Sequence, residues 1–247
     1  MGHALLLHEL TWMEAREYFR KNDVALLPVG STEQHGPQNP LGTDHLIAYA
    51  LAVEASRRTG VLCLPVIPFG VSAHHRHFEG SIYISPKAFR AYVKDVLLSL
   101  ASYGVKKVVI VNGHGGNLAS LLEVARELRR RRVLFAVVFQ WWDAVRGLFP
   151  KGEEGHAAAL ETSLNLYLHE SLVKIDRARD EFTEHPISKI KGAHMPWDTR
   201  DYTRSGVMGI ATTANKDKGK KVWEIAVDAL CSLIEELKRH PLEELLH

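Results

Sequence analysis

Cysteine is almost missing from this chain. It occurs twice in 247 residues, at Cys63 and Cys231, with no CxxC or paired Cys/His spacing, which excludes a thiolate metal site. Each lies in an apolar run and reads as a small buried hydrophobe, in keeping with a reducing cytosol. Long hydrophobic runs are missing too. Nothing approaches the ~18 apolar residues of a membrane span, and the short apolar stretch in MGHALLLHEL is too brief for the core of a signal peptide. The expectation is a soluble, cytoplasmic protein. A charge excess of one sign is also lacking. The 31 Lys and Arg against 29 Asp and Glu leave a formal net charge of +2, which predicts no strong attraction to nucleic acid or membrane. The basic run Arg129 to Arg132 is expected to be a solvated helix end.

The 46% hydrophobic and 24% charged content lies in the ordinary globular range and suffices for one large domain over residues 1–247. Apolar strand candidates begin at Val24 (VALLPVG), Val61 (VLCLPVIPFG), Val105 (VKKVVIVNG) and Val133 (VLFAVVFQWW). They alternate with helical patterns, and that alternation predicts an α/β fold with a mainly parallel sheet covered on both faces. Helix starts are marked by the capping box Thr11-x-x-Glu14 and by Ser85 followed by Pro86, and Gly104 marks a stop. Further helices are expected from Thr43 or Asp44, after Asn117, around His156, and from about Lys221 to His240. The stretch from about Arg177 to Lys220 lacks periodicity and is expected to be a functional loop rather than a linker.

Against this background one constellation is not required by packing. Glu33, His35 and Asp44 lie in VGSTEQHGPQNPLGTDH, and His114 lies in VVIVNGHGGN. Carboxylate and imidazole together form the oxygen and nitrogen ligand set that suits zinc, manganese or iron(II). Glu33, His35 and His114 each follow a strand candidate, and in open parallel sheets ligands gather beyond the carboxyl ends of the strands. Glu33 and His35 are two apart, so extended backbone turns both side chains the same way, toward one centre or two adjacent ones. Asp44 has two oxygens and can bridge a metal pair.

These motifs resemble the creatininase, or creatinine amidohydrolase, family. LLPVGSTEQHGPQNPLGTDH is similar to its N-terminal metal motif, GVSAHHRHFEGSI to its H-x-x-F-P-G-T segment, VNGHGGN to its central motif and GHAAALETS to its late motif. SGVMGIATTANKDKGKK is similar to its C-terminal loop. The resemblance implies a three-layer α/β/α sandwich and a metal-dependent amidohydrolase with one or two divalent ions (Zn, Mn or Fe(II)) per subunit. It implies a small-molecule substrate and a homo-oligomer, commonly a hexamer. His35, Asp44, His114 and Glu161 would hold one metal, and Glu33 with bridging Asp44 a second. His156 would be the proton shuttle, with Glu161 beside it in the catalytic set, and His75 would contact substrate.

The chain departs from creatininase itself at Gly116, where that enzyme has a glutamate, so one carboxylate is missing from the second site. Glu79 and Ser81 replace the usual proline and threonine. The GHGGN form resembles deformylases of formylamino-pyrimidine nucleotides and peptide-processing relatives, so the expected substrate is a cyclic amide or formamide other than creatinine. The backbone N–H groups of Gly115 and Gly116 could bind an oxyanion or a phosphate. Trp142 or Trp141 could stack on a planar substrate, and Trp197 could close over one. His156 and Glu161 are five apart and would point about 140° away from each other on a regular helix, so His156 is expected at the helix start, with only Glu161 turned inward. A two-metal phosphoesterase and a non-catalytic nucleotide-binding module are the competing classes.

Overall fold

The computed structural model describes residues 3–183, 187, 190, 192 and 194–246. Its centre is a parallel sheet of β1 (Val24–Val29), β2 (Leu62–Cys63), β3 (Lys107–Asn112) and β4 (Phe135–Gln140), ordered β2-β1-β3-β4. Val29, Asn112 and Gln140 are in register, so the loops after three strands leave the same edge. The helices are α1 (Trp12–Lys21), α2 (Thr43–Thr59), α3 (Pro86–Ser102), α4 (Leu118–Arg130), α5 (Trp141–Ala144), α6 (Ala159–Leu168), α7 (Thr199–Tyr202), α8 (Lys216–Arg239) and α9 (Leu242–Leu245).

Side chains alternate across the buried strands, and each face packs its own core. Leu26, Val109 and Val111 meet α2, α6 and α8 through residues such as Leu51, Leu164 and Leu230. Ala25, Leu27 and Ile110 face α3 and α4 through Phe89, Leu97 and Leu128. This makes the three-layer α/β/α sandwich that the strand and helix alternation predicts.

The local signals act as expected at α1 and α3. Thr11 and Glu14 form a capping box, and Ser85 Oγ accepts from the Ala88 N–H at 3.2 Å. Three elements differ from their predicted limits. The strand begun at Val61 pairs over two residues only, because Pro65 and Pro68 have no N–H to give the ladder. The helix expected around His156 is α6, which starts at Ala159, since Ala157 takes a positive φ of 55° that no helix continues through. The helix expected from about Lys221 is α8, which starts at Lys216, where Asn215 accepts from the Lys218 N–H at 2.9 Å and overrides the sparse apolar pattern of the first turn.

Two glycines place the start of α2 against the strand ends. A Cβ on Gly30 would strike the His45 backbone, and one on Gly113 the Asp44 carbonyl. Their absence lets Asp44, in the first turn of α2, sit directly over β1 and β3.

Candidate metal centre

Five predicted ligands converge at this edge. Glu33 and His35 come from the loop after β1, Asp44 from α2, His114 from the loop after β3 and Glu161 from the first turn of α6. Glu33 and His35 are fully buried and Asp44 and His114 nearly so, while the Glu161 side chain is 16% exposed. They form two trios around a shared Asp44. In the first, His114 Nδ1 lies 3.1 Å from both Glu33 Oε2 and Asp44 Oδ2. In the second, His35 Nε2 lies 2.9 Å from Asp44 Oδ1 and 3.8 Å from Glu161 Oε2. Within each trio the donor atoms lie within 4.8 Å of one another. The grouping differs from the one the resemblance implied, because His114 sits with Glu33 and not with His35. Glu161 brings a carboxylate to the His35 side.

The donor atoms fit a cation. Both Glu33 oxygens, Asp44 Oδ2 and His35 Nε2 are buried without a hydrogen-bond partner, although nitrogens and oxygens approach within ion-pair distance. Buried polar atoms left so are costly, and divalent ions held by the two trios would give them partners. The outer ring nitrogens are already committed. His35 Nδ1 donates to the Glu33 carbonyl at 3.2 Å and His114 Nε2 to the Val71 carbonyl at 3.1 Å, which leaves the inner nitrogens as lone pairs facing the carboxylates. A Cβ on Gly116 would strike both His114 Nε2 and the Val71 carbonyl, so glycine there keeps this hydrogen bond intact.

Without an ion, the carboxylates hold protons on the imidazoles instead. Burial opposes charge on His35, but Asp44, Glu161 and Glu33 outweigh it and raise its pKa to about 10. His114 is raised well above its usual value, with Glu33 and Asp44 overcoming burial. Ion uptake therefore displaces protons. Burial also lifts Glu161 to about 7 and lowers His156 to about 3.

His156 precedes α6 rather than lying on it, so the angular conflict with Glu161 does not arise. Its ring centre is 4.4 Å from that of His35, and its Nε2 lies 2.9 Å from both the Gln34 carbonyl and Gln34 Nε2. His75 is 3% exposed, with Nε2 3.1 Å from Glu33 Oε1 and Nδ1 3.0 Å from Gln34 Nε2 and Thr199 Oγ1. Both of its ring nitrogens are engaged within the protein.

A cavity of ≈ 350 Å³ opens over the centre, lined in part by Gly115, Gly116, His74, Trp142, Trp197 and Tyr202. Trp141 is core, whereas its neighbour Trp142 reaches the cavity. Asp198 fastens the segment carrying Trp197 to the loop after β2, pairing with Arg76 at 2.5 Å and His77 at 2.9 Å.

Three participants escaped the sequence reading. Gln34 links His75, His156 and the Gly206 carbonyl. Asn117, read only as a helix start, accepts from the Val71 N–H at 2.9 Å and donates to the Gly30 carbonyl at 3.0 Å. His74 is the third. All lie inside the quoted motifs, but sequence adjacency does not tell which neighbour of a ligand turns inward.

A parallel α/β sandwich with carboxylates and imidazoles gathered beyond its carboxyl edge has the layout of a metal-dependent hydrolase. The family model for creatininase, creatinine amidohydrolase, matches residues 8–234. The chain is 30% identical over 259 residues to creatinine amidohydrolase of Pseudomonas putida, covering 96% of this chain and 98% of that protein. It is 32% identical over 218 residues to the mycofactocin precursor peptide peptidase of Mycobacterium ulcerans (strain Agy99), covering 85% and 83%. To the 2-amino-5-formylamino-6-ribosylaminopyrimidin-4(3H)-one 5'-monophosphate deformylase of Methanothermus fervidus it is 27% identical over 228 residues, covering 88% and 86%. Among solved structures, a creatininase superposes with TM-score 0.83 at 30% identity, covering 94% of this chain and 97% of that one. A creatininase in its Mn form and a mutant creatininase of Zn-Zn type each superpose with TM-score 0.82 at 30% identity, covering 94% and 95% of this chain and 98% of theirs. The chain belongs to the creatininase family.

Proposed function

We propose that this protein is a divalent-metal-dependent amidohydrolase that cleaves the C–N bond of a small non-peptide amide, a cyclic amide or a formamide. The single observation that carries this reading is the set of buried, unpartnered oxygens and nitrogens around Asp44. Glu33, Asp44 and His114 would hold one ion, and His35, Asp44 and Glu161 a second. A bound divalent ion supplies a Lewis acid and brings the pKa of water toward neutrality.

The chain's own residues do the rest. His156 is the group this reading gives the role of taking a proton from the attacking water and passing it to the leaving amine; burial keeps its ring neutral at rest, so a proton it takes up is readily given on. Glu161, 3.8 Å from His35 Nε2, would serve in the same reading as a ligand on the His35 side. Gln34 fixes the His156 ring through Nε2. Gly115 and Gly116 line the same cavity, and this reading gives their backbone N–H groups to a developing oxyanion.

The cavity lining includes no lysine or arginine among the described residues. A substrate phosphate would lack the cationic partner that such groups ordinarily meet, which favours an uncharged amide over a nucleotide and over the phosphoesterase class. As parts of the same reading, we take residues 1–247 as one domain, the protein as cytoplasmic and its assembly as a homo-oligomer, with a hexamer expected. No described helix is long and apolar enough to cross a membrane.

The test is hydrolysis of a panel of lactams, hydantoins and formamides, read by mass spectrometry as ring opening of the cyclic amides and as formate release from the formamides, using metal-stripped protein reloaded with Mn, Zn or Fe(II). Activity should return with at least one metal and be absent in Asp44→Ala and His114→Ala. Phosphate release from phosphoesters, or no turnover with any loaded metal, would refute the reading.

A further inference from the structure

Four histidines line the cavity: His74, His75, His114 and His156. Three have ring nitrogens committed to the protein, with His75 on Glu33, Gln34 and Thr199, His114 on Val71, Glu33 and Asp44, and His156 on Gln34. His74 is different. Its ring is half-buried and packs against His75 with centroids 4.3 Å apart. It also stacks on His114 with centroids 5.5 Å apart and planes 15° from parallel. Among the described residues, neither of its nitrogens has a hydrogen-bond or ion-pair partner. A half-buried imidazole on the cavity wall, with neither nitrogen bonded to the protein among the described residues, is free to meet a ligand there.

We propose that His74 is a substrate-binding residue that hydrogen-bonds the amide undergoing hydrolysis. This rests on the amidohydrolase reading and goes beyond it by naming a contact outside both ligand trios. The two nitrogens of a neutral imidazole point apart, so one amide meets one of them: its carbonyl would accept from the ring N–H, or its N–H would donate to the bare nitrogen. The stack on His114 keeps the ring one side chain away from the Glu33, Asp44 and His114 trio, and Trp197, Thr199 and Tyr202 line the same cavity.

Acetohydroxamate, a small amide-like chelator, probes this contact without turnover. Its affinity for the manganese-loaded full-length protein is measured by titration calorimetry for wild type, His74→Phe and His74→Gln. Phenylalanine keeps the ring stack on His114 and deletes both polar atoms, while glutamine keeps polar atoms. Affinity should fall about 3- to 10-fold in His74→Phe, the worth of one neutral hydrogen bond, and stay within about 2-fold in His74→Gln. Manganese stoichiometry and melting temperature should not change. Equal affinity in wild type and His74→Phe would overturn the proposal, as would loss of manganese in that variant, which would make the ring a support for His114. No acetohydroxamate binding by manganese-loaded wild type would overturn the amidohydrolase reading and this proposal with it.

Discussion

Asp44 is the one side chain shared by both ligand trios, with Oδ1 2.9 Å from His35 and Oδ2 3.1 Å from His114, so Asp44→Asn should uncouple the protein from its metal. The variant keeps shape and loses charge. At a free metal concentration of 100 times Kd, binding to the folded state alone contributes about 2.7 kcal/mol. For a chain of this size each kcal/mol shifts Tm by about 2–4 °C, so chelation should lower the wild-type Tm by about 5–11 °C. If the lost ligand charge weakens affinity by ~100-fold, the same metal concentration contributes only about 0.4 kcal/mol, or about 1 °C. Asp44→Asn also removes the partner of a buried His35, which by itself costs about 3–5 kcal/mol. The informative quantity is therefore the difference in Tm with and without EDTA within each protein, read by differential scanning fluorimetry, because the baseline loss cancels. An EDTA shift in Asp44→Asn equal to that of wild type, with unchanged metal content, would refute the reasoning.

Gly116→Ala places a methyl group against His114 Nε2 and the Val71 carbonyl, and metal affinity should fall about 10- to 100-fold, measured by competition with a chromogenic chelator. Asn117→Ala strands the Val71 N–H and the Gly30 carbonyl and should cost about 2 kcal/mol, a Tm loss of about 4–8 °C. Glu181 holds residues 203–205 in place. Burial opposes its charge, but hydrogen bonds from Arg204, Ser205 and Thr203 outweigh it and hold its pKa at about 2, below the ordinary 4.5. A lowered carboxylate stabilises the fold fully above pH 4.5 and loses that contribution as pH falls toward 2. Glu181→Gln should accordingly be about 1 kcal/mol less stable at pH 7 after allowance for solvent screening, with the gap closing between pH 4.5 and 2 in denaturant melts of the two proteins.

The strands and most helix limits were legible because they rest on short-range signals: apolar runs ending in glycine, Thr11 with Glu14, and Ser85 before Pro86. The metal-ligand candidates were legible because Glu33, His35 and His114 sit at strand ends, where the fold class itself gathers side chains. Their partition was not. That His114 joins Glu33 while His35 joins Glu161 depends on the height of Asp44 above the sheet, set by the contacts of Gly30 and Gly113 with α2. Likewise His74 and His75 are adjacent and chemically identical in sequence, and only the turn at Ala73–His75 decides which ring is buried on Glu33 and which stays half-buried without a partner for its nitrogens among the described residues. The helix limits at Ala159 and Lys216 moved because a positive φ at Ala157 and the Asn215 cap act on single residues that periodicity does not register.

Anomalous scattering from a manganese-soaked crystal bears most directly on the metal centre. The expected result is one peak enclosed by Glu33, Asp44 and His114 and, at full loading, a second enclosed by His35, Asp44 and Glu161. A map with no peak in contact with Asp44, while manganese is bound elsewhere on the same molecule, would contradict the account.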